Sequence, residues 1–444
     1  MHNFPTHFWR KFQDDKDRTA LVCIDEEGVR TELTYWEWTR RVQRLALALV
    51  EEGFQPGARL GMVAPTCRDW LDLAFASWLV GGCLVPVAHG ASRSKTLRAL
   101  ARSGCEWIAI DDGPALRRLR GSNDDLPEHL QWIAFDGAGS SEKRGVHDLA
   151  ELDELGRSLA VRGRVDDLAE IIYEVDADQP TLILFEPTLG DDPHGAYFRG
   201  ASVGQMLAWL GEDLQFEDGE LLVTTREFAD YRAWLMTAAT LLQGVPVATT
   251  EAREPIGTHL EQLRPTRLVC DRAFLTKRAD KLLDRVESSS KSLEADGGAD
   301  GGLGSMLREV GKKAARRLFY DPLDRAFGGR LAAAYVVDGS LPEDLAGVLD
   351  RANLTPLGLY GTPESGISHI ERPGARREGS VGRPVQGYTC KIEGAKRGAS
   401  GPILVRSDVL FDDYWDGDGP REVDENGWLQ TGDEGRIESG YLFL

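Results

Sequence analysis

Apolar and polar positions along this chain of 444 residues follow two rhythms. Val42, Leu45, Ala46, Leu49 and Val50 recur at the three- and four-residue spacing of one helix face, and Gly53 follows where a helix C-terminus favours glycine. Thr34 precedes this run as an N-cap. Short apolar strings alternate with such helices: strands at Arg59–Val63, Cys83–Val87 and Trp107–Ile110, helices at Trp70–Val80 and Arg93–Ser103. The alternation returns after Pro180, with strands at Thr181–Phe185, Leu221–Thr224 and Val245–Thr249 around helices at Ser202–Leu210 and Tyr231–Leu242. Strands separated by helices of this length predict parallel, doubly wound sheets, so the fold class is α/β with two such lobes.

From about Leu354 the rhythm shortens. Gly387–Ile392, Pro402–Arg406, Trp428–Leu429, Arg436–Ile437 and Tyr441–Leu444 read as brief β runs punctuated by glycine, which predicts a small β-barrel. The expected division is a first α/β lobe over 1–175, a second over 176–353 and the barrel over 354–444. A Ser/Gly/Asp-rich run at about 286–304 lacks the apolar residues to bury and predicts a mobile insertion. A basic amphipathic helix is expected after it, Met306–Phe319.

Composition narrows the function classes. Lys+Arg 52 against Asp+Glu 72 gives a formal charge of −20, which argues against non-specific attraction to nucleic acid or anionic lipid. Cys23, Cys67, Cys83, Cys105, Cys270 and Cys390 are scattered with no paired spacing, as befits thiols in a reducing compartment. The opening residues mix charges and lack the apolar core of a signal peptide. The longest apolar run, Leu73–Ala88, is about 16 residues and contains Gly81, Gly82 and Pro86, short of the roughly 20 a membrane span needs. A cytoplasmic protein without a transmembrane segment is expected.

Five segments carry a resemblance: LTYWEWTRRVQRLALALVEEGFQPGARLGMVAPTCRDWLDLAFASWLVGGCLVPV from Leu33, YGTPESG from Tyr360, GSVGRPVQGYTCKI from Gly379, GPILVRSDVLFDDYW from Gly401 and GWLQTGDEGRIESGYLFL from Gly427. Their content and order resemble AMP-forming acyl-CoA synthetases, and the segment LFYDPLDRAFGGRLAAAYVVDGSLPEDL is most similar to the long-chain fatty acid branch. The resemblance implies two α/β lobes and a small barrel. It also implies a reaction in two halves, in which a carboxylate attacks the α-phosphate of ATP and coenzyme A thiolate then displaces AMP, with Mg2+ as cofactor. By the same resemblance Tyr360, Gly361 and Gly339 are nucleotide-binding, with Tyr360 packed near adenine, Glu364 is the magnesium-side glutamate, and Asp433 accepts hydrogen bonds from the ribose hydroxyls, a role a carboxylate suits.

The chain departs from that pattern at its phosphate loop. Relatives carry T-S-G-T-T-G-x-P-K-G after a strand; here the loop reads Glu186, Pro187, Thr188, Leu189, Gly190, Asp191, Asp192, Pro193, His194, Gly195. The lysine place holds His194, two glycine places hold Thr188 and Asp191, and Pro187 removes a backbone donor. Glu186, Asp191 and Asp192 add negative charge beside a triphosphate, each like-charge contact costing on the order of 1–4 kcal/mol. The loop is therefore expected to be a surface turn that binds ATP poorly, with a divalent cation held by its carboxylates as the alternative. Pro363 stands in the threonine place of Y-G-x-T-E, and Arg226 is the nearest match to the histidine that ends a strand over the acyl pocket in relatives. The hinge and C-terminal domain with its catalytic lysine are expected to be absent past Leu444.

These features predict a degenerate acyl-CoA synthetase-like protein without independent ligase activity, binding a fatty acyl chain or a nucleoside. Two alternatives stay open. One is an active ligase using ATP, Mg2+ and coenzyme A, completed by a separate C-terminal domain. The other is a non-enzymatic partner in a homo-oligomer or with an active paralogue.

Overall fold

The computed structural model describes residues 3–121, 130–136, 145–251, 255–279, 321–339, 341–394, 398–417 and 419–444. The expected insertion at 286–304 and the basic helix at 306–319 lie outside the described residues.

Two large sheets and one small sheet organise the described chain. The first runs β19-β9-β8-β4-β3-β5-β6-β7. Its strands are β3 (Arg59–Val63), β4 (Cys83–Pro86), β5 (Trp107–Asp112), β6 (Gln131–Asp136), β7 (Val146–Asp148), β8 (Pro180–Leu184), β9 (Ala196–Arg199) and β19 (Asp413–Tyr414). Pairing is parallel from β8 through β7 and antiparallel at β8–β9 and β9–β19. The second sheet runs β16-β15-β14-β13-β12-β10-β11-β1-β2. It comprises β1 (Thr19–Ile24), β2 (Arg30–Thr34), β10 (Leu222–Thr224), β11 (Val247–Thr250), β12 (Arg267–Cys270), β13 (Ala333–Val336), β14 (Thr355–Thr362), β15 (Gly366–Ile370) and β16 (Arg383–Pro384). Strands β4, β12 and β13 are buried at every position, as parallel strands covered on both faces must be. The short runs near the end form an antiparallel sheet in the order β17-β18-β20-β21, from β17 (Thr389–Ile392), β18 (Gly401–Arg406), β20 (Leu429–Glu438) and β21 (Tyr441–Phe443). The expectation of an α/β fold built on two large sheets is met, and the strands expected as a small β-barrel form this four-stranded antiparallel sheet.

Local signals account for the helices. Thr34 caps the helix Tyr35–Glu51 in a reciprocal box with Glu37, and Gly53 takes φ +95° just beyond its end. The helix Tyr231–Leu242 begins at Asp230, whose side chain accepts from the Arg232 N–H, and buries every residue except Arg232. The helix Phe4–Asp14, which the periodicity reading above passes over, carries its own signals: Asn3 as cap, Pro5 in the first turn, and Phe4, Phe8 and Phe12 on one face.

These apolar faces meet in one aromatic core. Trp234 lies 4.7 Å from Trp70 and 5.0 Å from Trp78 between ring centroids, and Trp38 lies 5.1 Å from Phe75. A carboxylate is buried among them: Asp72 accepts from Trp38 Nε1 at 2.7 Å and pairs with Arg41 at 2.8 Å. This core fixes the helix Tyr231–Leu242, and that helix positions the candidate site.

Candidate functional site

The first turn of the helix Tyr231–Leu242 ties two loops together. Tyr231 donates its hydroxyl to the Gly361 carbonyl at 2.5 Å, and Arg232 Nη1 donates to the Val337 carbonyl at 2.6 Å, two residues before Gly339. Arg232 is itself held by Asp230 Oδ1 at 2.8 Å and Oδ2 at 3.1 Å. Tyr360, at the end of β14, donates its hydroxyl to Asp433 Oδ2 at 2.8 Å. Burial pushes the Tyr360 hydroxyl well above the usual tyrosine range, so it stays a donor. The structure thus brings Tyr360 and Asp433 into contact, and ties Gly361 and the loop leading to Gly339 to consecutive residues of one helix. Gly361 is constrained by packing: a Cβ there would stand 1.8 Å from the Gly366 carbonyl oxygen across the β14–β15 turn.

Glu364 follows on the same turn and is 3% exposed. Tyr414 donates its hydroxyl to Oε1 at 2.7 Å, and Arg421 Nη1 donates to Oε2 at 2.6 Å. Arg421 also lies 3.9 Å from Glu186, the first residue of the phosphate loop. Burial, then the nearby Glu364 carboxylate, raises the Glu186 pKa against the pull of Arg421. The guanidinium rests on strand β20 just before Asp433: a Cβ on Gly432, which has φ +84°, would stand 3.2 Å from Arg421 Nη2. Both Glu364 oxygens are therefore engaged within the protein. Among the described residues no group of three or more His, Cys, Asp or Glu side chains is arranged to hold a metal ion. A magnesium ion does not fit these groups as they stand.

The rest of the phosphate loop faces the other way. Leu189 anchors it, buried at 1% exposure in the core of the first sheet with φ +42°. The helix Arg93–Arg102 supplies the counter-charges. Arg98 donates to the Asp191 carbonyl, Lys95 lies 3.9 Å from the Asp191 carboxylate, and Arg102 pairs with Asp192. Arg102 Nη1 further reaches the Pro193 carbonyl at 3.3 Å, His194 Nδ1 at 3.0 Å and Asp416 Oδ2 at 3.0 Å. His194, in the lysine place, is thereby held between Arg102, Asp192 and Asp416. Asp191 and Asp192 thus have cationic neighbours, and Glu186 alone of the three loop carboxylates sits with Glu364 and Arg421. Thr188, Gly190 and Gly195 complete the turn, and Gly195 accepts from the Trp415 N–H at 2.9 Å.

Arg226 lies just past β10, but its charge is spent on Asp271 at 2.5 Å and Asp230 at 3.3 Å. Pro363 occupies the turn between β14 and β15 and offers neither hydroxyl nor N–H. His369 on β15 lies 5.8 Å from Tyr360 between ring centroids. Its Nδ1 meets Ser368 Oγ at 3.0 Å, while Nε2 is buried with no hydrogen-bond partner among the described residues. Sequence reasoning singled out none of Tyr231, Arg232, His369, Tyr414 and Arg421. Only the Asp230 cap, which fixes where Tyr231 and Arg232 begin the helix, left a readable signal.

Comparison with known proteins adds the context. Residues 8–175 match the family model described as AMP-binding enzyme. The long-chain-fatty-acid–CoA ligase FadD15 of Mycobacterium bovis is 28% identical over 459 aligned positions, covering 98% of this chain and 72% of that protein. Over nearly its whole length the chain is thus similar to AMP-forming long-chain acyl-CoA ligases. FadD13 of Mycobacterium tuberculosis, also named a long-chain-fatty-acid–CoA ligase, is 28% identical over 436 positions, covering 96% of this chain and 75% of its own length. In fold, the inhibitor-bound N-terminal domain of FACL13 from Mycobacterium tuberculosis superposes with a TM-score of 0.73 at 17% identity, covering 100% of this chain and 99% of that domain. A Mycobacterium tuberculosis fatty acyl CoA synthetase gives a TM-score of 0.74 at 17% identity, covering 99% of this chain and 77% of that one. The architecture is that of the large N-terminal domain of adenylate-forming enzymes, a family whose ligases use ATP, Mg2+ and coenzyme A. No described helix is long and apolar enough to cross a membrane.

Proposed function

We propose that this member of the acyl-CoA synthetase family binds an adenosine moiety in its cleft and does not by itself run the ligase reaction. One observation carries the reading: the phosphate loop is clamped onto the helix Arg93–Arg102 by Arg102, with His194 held inside that clamp. A triphosphate needs a loop whose donors and cation point at it. Here the cations face the loop's own aspartates, and the carboxylate at the cleft end, Glu186, opposes a phosphate. The nucleoside side retains its parts. Tyr360 and Asp433 meet at 2.8 Å, leaving Asp433 Oδ1 to accept from a ribose hydroxyl.

The relatives are named as long-chain fatty acid ligases, which supports an acyl chain as the second ligand class and an acyl-adenylate as the species that would fill both places. Calorimetry of the full chain with AMP, ATP and a non-hydrolysable acyl-adenylate analogue tests the binding. AMP and the analogue are expected to bind, and ATP to bind more weakly than AMP. The activity side is tested by pyrophosphate release with ATP, Mg2+, coenzyme A and saturated fatty acids from octanoate to stearate. Robust turnover by this chain alone would sink the proposal; turnover only on addition of a separate C-terminal domain would favour the completed-ligase alternative.

A further inference from the structure

The position of Arg421 goes beyond that reading. Three distances place its guanidinium: 2.6 Å from Glu364 Oε2, 3.9 Å from Glu186 Oε1, and close enough to Gly432 that a Cβ there would lie 3.2 Å from Nη2. It therefore sits between two carboxylates and against the stretch of β20 that presents Asp433. If Asp433 receives the ribose, Arg421, packed against the neighbouring Gly432, is a cation beside the same ligand.

The geometry points to Arg421 as the resident cation of this cleft, a specificity-determining residue that excludes a divalent metal from Glu364 and selects metal-free adenylates over the magnesium complex of ATP. Magnesium demands near-octahedral oxygen ligands close to the ion and gives up its water reluctantly. Glu364 has both oxygens in short hydrogen bonds, to Tyr414 and Arg421, and cannot ligate without breaking one. Breaking the Arg421 bond would leave a guanidinium facing the incoming metal, a like-charge contact in a part-buried place. Arginine suits the task because it stays charged at every working pH and its planar fork of five donors serves a carboxylate and a phosphate oxygen in turn. The metal half of this inference stands by itself; the nucleotide half rests on the adenosine binding proposed above.

The test uses the full chain and manganese alone, read by the loss of free Mn2+ signal in electron paramagnetic resonance. Wild type is expected to show no metal binding that Glu364→Gln abolishes at metal up to about 1 mM, and Arg421→Gln to gain a site about tenfold tighter or more, lost again when Glu364→Gln is added. A Glu364-dependent site in wild type overturns the inference, as does an Arg421→Gln protein with native circular dichroism and no gain. Should Arg421→Gln fail to fold, the wild-type and Glu364→Gln titrations still decide whether the metal is excluded. In the nucleotide arm, AMP affinity of wild type is expected to stay within about twofold with and without MgCl2, and a rise of about tenfold with magnesium overturns selection of the metal-free ligand. If AMP fails to bind under both conditions, the adenosine reading fails while the manganese result still judges Arg421.

Discussion

The clamp on the phosphate loop is held chiefly by one side chain, so Arg102→Ala is the most informative single change. Arg102 holds four partners on or beside the loop: the Asp192 carboxylate, the Pro193 carbonyl, His194 and Asp416. Its side chain is 32% exposed and that of Asp192 is 69% exposed, so the Asp192 pair counts as a surface ion pair worth less than about 1 kcal/mol. The bonds to Pro193, His194 and the more buried Asp416 each contribute about 0.5–1.5 kcal/mol before discounting for partial exposure. Because the contacts share one side chain and water replaces part of each, a loss of about 1–2 kcal/mol in local closing free energy is expected, a rise in loop opening of about 5- to 30-fold. Hydrogen exchange followed by mass spectrometry reads this directly. Peptides covering Glu186–Gly195 should exchange faster by that factor, while β3 and β4, on the same sheet but held by the core, should not change. Unchanged exchange in the loop would refute the clamp. Equal acceleration across the sheet would show that Arg102 supports the whole lobe instead.

Further outcomes follow from the same geometry. Asp433→Asn should weaken AMP binding by about tenfold or more, because it replaces a charged acceptor, and Tyr360→Phe by about three- to tenfold, since it removes only the 2.8 Å bond that orients that acceptor; calorimetry distinguishes the two. His369 is pushed down to about 3 by burial and then by Arg372, so the folded protein holds it neutral while the unfolded chain protonates it near 6.5. Its contribution to stability is present above pH 6.5 and is lost as pH falls towards 3, at about 1.4 kcal/mol per pH unit, so denaturant melts across that window should be flatter for His369→Leu than for wild type. Gly361→Ala would set a Cβ 1.8 Å from a backbone oxygen that cannot rotate away, and should lower the melting temperature by several degrees and abolish AMP binding; a native-like melt would contradict the described β14–β15 turn.

Much of the fold is readable in the chain because its signals are local. The capping box at Thr34 and Glu37 and the Asp230 cap each mark a helix start within a few residues, and the helix Tyr231–Leu242 has the bounds its apolar run predicts. Motif positions survive in the same way. Tyr360 and Asp433 are legible as residues, and the structure brings them into contact across 73 positions. Other features were out of reach. Strands β1 and β2 precede the first sheet in sequence, yet β1 pairs in parallel with β11 of the second and β2 forms that sheet's edge, because hydrogen-bonding edges are satisfied by whichever strand the packed helices bring alongside.

Charge partners divide in the same manner. The chain by itself determined that the loop Glu186–Gly195 holds three carboxylates and no lysine, since that is a matter of which residues stand between Phe185 and Ala196. Only the tertiary structure decided what those charges meet. It turns Asp191 and Asp192 to the helix Arg93–Arg102 and leaves Glu186 beside Arg421 and Glu364. It also brings Arg421 onto Glu364 from 57 positions away. Electrostatic energy depends on distance and burial, and neither is written in the order of residues until the sheets have packed.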